Sequence, residues 1–87
     1  MKAVVTVIGK DMVGILAKVS PACAEKTANV SAVTQSVLDG YFAMVMVIDI
    51  DKMTCMVSEL KDFIQAAVPE MQVHVMHEAI FNSMHRI

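Results

Sequence analysis

Tryptophan is absent, tyrosine occurs once and phenylalanine three times, and seven Lys and Arg stand against nine Asp and Glu for a net charge of −2. A nucleic-acid partner needs a basic stripe for phosphates or aromatic platforms for bases, and the chain has neither. Cysteine is limited to Cys23 and Cys55. Two are too few for a disulfide framework and too far apart for a metal knuckle, so both read as small buried hydrophobes. No apolar run exceeds the eight residues Tyr41 to Ile48, far short of the roughly 20 that span a bilayer. The run Ala3 to Ile8 is too short for a signal peptide and leads into Lys10-Asp11 instead of a small-residue cleavage site. The expectations are no membrane association and a cytoplasmic location.

What the chain has in excess is apolar side chain. Of 87 residues 56% are hydrophobic and 18% charged, against roughly 45–50% and about 25% for an ordinary soluble domain. Disorder is excluded, and residues 1–87 make one domain with more apolar surface than its size easily hides. Part of that surface is expected to meet a partner.

The hydrophobic period locates the elements. Ala3 to Ile8 is a β-branched run closed by Gly9, a first strand. From Val13 the spacing of Ile15, Leu16, Val19, Ala22 and Cys23 turns helical, predicting a helix over residues 14 to 27, with Pro21 marking a kink near Ala17 or a fresh start capped by Ser20. Val30 to Leu38 and Tyr41 to Ile50 flank Asp39-Gly40, the dipeptide of a two-residue type I′ hairpin. The second of these strands is apolar on both faces and is expected to be covered on both. Met53, Met56, Val57, Leu60, Ile64 and Ala67 form one stripe of a second helix ended by Pro69. Met71 to Met76 alternates as a fourth strand, and Ala79 to Ile87 reads as a short terminal helix docked on the body. The order is βαββαβ, the ferredoxin-like α+β sandwich: a four-stranded antiparallel sheet with two helices on one face and a short C-terminal helix. Of the nine methionines, Met44, Met46, Met53, Met56, Met76 and Met84 fall on apolar stripes and read as core.

Catalytic templates fail in turn. His77-Glu78 begins an H-E-x-x-H pattern, but Phe81 occupies its last position, and strand periodicity places His74 and His77 on opposite faces, which argues against zinc. No serine sits in a G-x-S-x-G elbow, and the two cysteines, both placed on helices, have no histidine nearby in sequence. No catalytic residue, metal or cofactor is expected. His85-Arg86 reads as the polar end of an amphipathic tail, with anion binding as the sharper alternative.

The informative segment is Gly9-Lys10-Asp11-Met12-Val13-Gly14-Ile15-Leu16, a strand-to-helix turn with glycines spaced as in a phosphate loop. Ile15 and Leu16 stand where that loop requires Lys and a hydroxyl, so nucleoside triphosphates are excluded. Two readings of Gly14 stay open: it lets the helix pack closely on the sheet, or it opens a helix N-terminus whose free amides suit a small anion such as a carboxylate.

This segment, the turn Thr27-Ala28-Asn29-Val30 and the βαββαβ order together resemble an ACT domain, the small-molecule sensing module attached to amino-acid-regulated enzymes. The hairpin Ser31 to Ile50 and the ending Ala79 to Ile87 are similar to stand-alone single-ACT-domain proteins of prokaryotes, a group akin to the regulator of the glycine cleavage system. The resemblance implies a non-enzymatic regulatory homodimer that binds an amino acid or similar small anion between subunits and acts through a partner protein. It carries the ligand site onto Asp11, Met12, Val13 and Gly14 and onto Asn29 and Val30. Main-chain amides near Val13 and Gly14 would receive the ligand carboxylate, and Asn29 would hydrogen-bond ligand or neighbouring backbone. Met12 stands where many members have Pro, which leaves the loop less stiff. Other ACT domains only dimerise, and a purely structural dimerisation domain without a ligand is the alternative.

Overall fold

The computed structural model describes residues 1–10 and 14–84. The β-branched opening of the chain forms β1 (Lys2–Lys10), followed by α1 (Ile15–Glu25), β2 (Asn29–Leu38), β3 (Tyr41–Asp49), α2 (Val57–Ala67), β4 (Gln72–His77) and α3 (Glu78–Met84). The strands order as β2-β3-β1-β4, and each neighbouring pair is antiparallel. This is the expected ferredoxin-like sandwich. Asp39 and Gly40 both have positive φ, 51° and 79°, as the type I′ hairpin between β2 and β3 requires.

Strand alternation builds the core. Val5, Val7, Met44, Met46, Ile48 and Val73 project from one face of the sheet into a single cluster with Ile15, Val19 and Cys23 of α1 and Leu60 and Ile64 of α2. Each such side chain, once fully buried, contributes roughly 1.5–3 kcal/mol relative to exposure. The other face is covered only in part. α3 lies against β1 and β4, and Val4, which alternates with the core residues Ala3 and Val5, is 2% exposed there. On β3 that outer face keeps Ala43 exposed and Val45 and Val47 half-buried. Within one chain, then, β3 is fully covered on one side only.

Three local expectations are corrected. α1 neither ends nor restarts at Ser20 but runs as one helix through Pro21. Ala17 and Pro21 are both exposed, so the carbonyl that proline leaves without its helical donor faces water. Second, α2 begins at Val57, and Cys55 precedes it instead of lying on a helix. The backbone of the β3–α2 connection is held otherwise: Ile50 N donates to Met1 O at 3.0 Å, Met53 N to Ile50 O at 3.1 Å and Thr54 N to Lys26 O at 3.2 Å. Third, the methionine stripe divides. Met44 and Met46 are buried, Met56 at the helix start is 68% exposed, and Met53 and Met76 are half-buried, while the Met84 side chain lies outside what the structure describes. The periodicity of Met53 and Met56 continued that of α2, although Met53 lies in the connection and Met56, whose carbonyl accepts from Leu60 N at 3.0 Å, only caps the helix.

Candidate functional site

Two ends of α1 carry the candidate residues. At its start, Gly14 has φ 81° and ψ 22°, and no side chain caps the helix there. Its carbonyl accepts from Lys18 N at 3.1 Å, the first helical bond. A β-carbon built on Gly14 meets nothing within 4 Å. Glycine is therefore needed here for its left-handed backbone, which L residues adopt at a cost of about 1–2 kcal/mol, and close packing on the sheet is not the reason for it. Asp11, Met12 and Val13 lie outside the described residues.

At the other end, Ala28 N donates to Cys23 O at 2.9 Å and Thr27 N to Ala24 O at 3.0 Å, with Thr27 at φ 62°. This is a Schellman closure, in which glycine usually takes the left-handed position and a β-branched residue is rare. The turn delivers Asn29 to the first position of β2, opposite Asp49 of β3, which in turn pairs with Lys2 of β1.

Here a cavity of about 680 Å³ opens, lined among others by Ser20, Thr27, Asn29, Val30, Asp49 and Lys52. Asp49 Oδ1 accepts from Asp51 N at 3.0 Å. Asp51, also on the rim, hydrogen-bonds and pairs with the N-terminal ammonium of Met1. That ammonium holds the Asp51 carboxyl below its ordinary value, chiefly through the hydrogen bond. The same bond raises the amine above its own. With Met1 satisfying Asp51, the cavity retains one carboxylate at Asp49, one ammonium at Lys52, the hydroxyls of Ser20 and Thr27 and the amide of Asn29. Such a set complements a small molecule carrying both charges.

Of the residues singled out in the sequence, Asn29 and Val30 meet in this cavity. Gly14 stands at the far end of α1, whose 11 residues span about 16 Å at 1.5 Å per residue. Sequence reasoning missed Ser20, Asp49 and Lys52, because only the helix closure and the β2–β3 register gather them. Thr27 carried a signal in its turn with Asn29, though its backbone conformation did not show. Cys23 takes no part: burial pushes its thiol up to about 11. Among the described residues, no three His, Cys, Asp or Glu side chains gather as a metal cage, and no helix is long and apolar enough to cross a membrane.

The sheet order and the crossing of α1 and α2 over one face define a ferredoxin-like α+β module of a single domain's size. The chain belongs to the ACT domain family, whose family model matches residues 2–77. The ACT domain is a regulatory module that binds small molecules. The chain is 46% identical over 89 positions to a UPF0237 protein of Listeria innocua, covering 100% of both. An ACT domain protein from Streptococcus pneumoniae superimposes with a TM-score of 0.78 at 34% identity, covering 98% of each chain. The fold alone is shared with the regulatory subunit of aspartate kinase from Thermus thermophilus, with a TM-score of 0.64 at 24% identity, over 85% of this chain and 49% of that one.

Proposed function

We propose that this chain is a cytoplasmic, non-enzymatic regulatory homodimer that binds a small amino acid at its subunit interface and acts on a partner protein. The carrying observation is the cavity at Asn29, with one carboxylate, one ammonium and several neutral donors on its wall. Lys52 suits an α-carboxylate and Asp49 an α-ammonium, while Val30 and Ala24 offer apolar contact to a short side chain.

Subunit pairing has its own support. β2 is an edge strand of ten residues, Asn29–Leu38, with neither charge nor proline along it. Natural edge strands are blunted by such residues, and one without them is a template for another strand. Antiparallel pairing of two β2 edges sets the Asn29 end of one copy beside the Leu38 end of the other. That second end lies where β1 finishes at Lys10, in register with Tyr41, on the way to Gly14. Asp11 to Gly14 of one subunit and Asn29 with Val30 of its partner would then share one ligand.

The test is a thermal-shift screen of amino acids on the full chain together with its light-scattering mass. A ligand at 100 times its dissociation constant adds about 2.7 kcal/mol of stability. Gly14→Val abolishes the shift, and Asn29→Ala weakens binding about 2- to 12-fold, one hydrogen bond being worth about 0.5–1.5 kcal/mol. A mass of one 9.5 kDa chain at micromolar concentration would defeat the dimer. The second reading, a dimerisation domain without a ligand, rests on the uncharged β2 edge alone. It is the answer if the mass is dimeric and no amino acid moves the melting temperature.

A further inference from the structure

β4 is the sheet edge opposite β2, and its six residues include no Asp, Glu, Lys, Arg or proline. An edge without such residues is open to another strand. The side chain of Gln65 already uses part of it. Gln65 Nε2 donates to Met71 O at 2.6 Å and to Val68 O at 3.2 Å, and Gln65 Oε1 accepts from Val73 N at 3.4 Å. A donor set against one carbonyl, with an acceptor set against the amide two residues on, is what a neighbouring strand presents in a parallel ladder. The contact also fixes which β4 groups point away from β1. Val73 N does, and by the two-residue alternation of the ladder so do the amides of Val75 and His77. Gln65 thus occupies the start of the edge, and Val75 to His77 follow it.

α2 lies alongside this edge. Ser58, Lys61 and Gln65 recur at three and four residues and so share one stripe of the helix. Gln65 at one end of the stripe bonds β4, and Ser58 at the other lines a cavity of about 380 Å³ together with His77. Lys61, half-buried, stands between them on the same wall. Ile50, Met53, Met56 and Val57 make that cavity mainly apolar, and methionine adapts its shape to what enters. A strand edge, a cation beside it and an apolar cavity at its end therefore lie in one line.

We propose that the groove between β4 and α2 is the docking site for an extended segment of a partner protein: the segment's backbone pairs with β4 at Val75 and His77, one apolar side chain enters the cavity at Met53 and Met56, and an acidic side chain meets Lys61. In this mode the main-chain bonds supply affinity and the pocket supplies specificity. The proposal deepens, and rests on, the reading that the chain acts on a partner protein. A second copy of the chain suits the groove less well. Two β4 edges paired antiparallel about Val75 would set Val73 of one copy opposite His77 of the other, where Gln65 already holds the Val73 amide. They would also bring two Lys61 ammonium groups to one interface, whereas a carboxylate on the partner segment complements one.

The experiment selects short peptides from a random phage-displayed library on the full chain, with no amino acid added. The selected peptide, made synthetically, is then measured by fluorescence anisotropy and by amide hydrogen exchange. The expected sequences share an apolar residue and an Asp or Glu at a fixed spacing, and the bound peptide slows exchange at Val75 and His77 and not along β2. Val75→Pro keeps the ladder to β1, because the amide it removes points outward, and is expected to lose more than about tenfold in affinity. Lys61→Glu, which leaves the strand untouched, weakens the acidic peptide by about tenfold and selects basic residues from the same library. The proposal is overturned if the library yields no binding peptide, if Val75→Pro and Lys61→Glu both bind the selected peptide like the parent, or if the protected amides lie on β2. It is overturned as well if slowed exchange along β4 without peptide accompanies a doubled light-scattering mass that Val75→Pro halves, which would put a second copy in the groove. A chain that responds to no amino acid yet takes the peptide fails the ligand reading alone, and one that responds to an amino acid yet takes no peptide fails this proposal alone.

Discussion

The amide of Ala28 donates to the carbonyl of Cys23 at 2.9 Å, folding the end of α1 back over Thr27, which is held at φ 62°. A β-branched residue in the left-handed region stores about 1–2 kcal/mol, and this one stands on the rim of the cavity at Asn29. Thr27→Gly is therefore expected to stabilise the fold by about 1 kcal/mol in urea unfolding, since glycine adopts that conformation freely. The same variant is expected to reduce the thermal shift given by any amino acid that binds the parent, because it removes a hydroxyl from the cavity wall. Stability unchanged or lowered would show that Thr27 is not strained.

Gly9 is a case of close approach. A β-carbon there would lie 2.6 Å from Met71 Sδ and 3.3 Å from Met71 Cα. The sulfur can move and the backbone cannot, so Gly9→Ala is expected to cost about 1–3 kcal/mol by overpacking. In a double-mutant cycle with Met71→Ala the two losses should fall short of additive, because the truncated partner vacates the space the new methyl needs. Strict additivity would place the clash elsewhere.

The two thiols should separate by reactivity and by pH. Cys55 is half-buried and Cys23 buried, so brief alkylation near pH 8 labels Cys55 alone, with Cys23 reacting only on unfolding. Burial raises the Cys23 thiol in the folded chain to about 11 from 9.0, so the unfolded chain loses that proton first. Its contribution to stability is then complete below pH 9 and declines as pH rises toward 11. Urea midpoints measured across that window should fall in the parent and fall less in Cys23→Ala.

Methionine oxidation reads the burial map. Met1 and Met56 are 70% and 68% exposed, whereas Met44 and Met46 are fully buried. Mild peroxide is expected to convert the first pair to sulfoxides at the rate of a free methionine peptide and to spare the second pair while the fold persists. Oxidation of Met44 at the rate of Met56 in a folded sample would contradict the β3 register.

Which elements exist, and in what order, was determined locally. Ala3, Val5 and Val7 alternate, Ile15, Val19 and Cys23 recur at helical spacing, and Asp39-Gly40 tolerates the two positive φ values of a tight hairpin. Each of these is a property of residues within about one turn or one strand of each other, and the structure carries them through. The start of α2 was not determined that way. Met53 and Met56 extend its stripe, yet Met53 lies in a connection whose Ile50 and Thr54 amides are held by Met1 and Lys26, from opposite ends of the chain's first third. The candidate site divides along the same line. Gly14 and Asn29 were marked by their residue types, glycine for a left-handed helix start and asparagine for a turn into a strand. That Asn29 shares a cavity with Asp49 and Lys52 while Gly14 stands at the far end of α1 was decided only by the β2–β3 register and by the helix lying between the two turns. Hydrophobic period is encoded in neighbouring residues, but the approach of polar groups distant in sequence follows from how the elements stack to bury their apolar faces, and only the packed sheet states it.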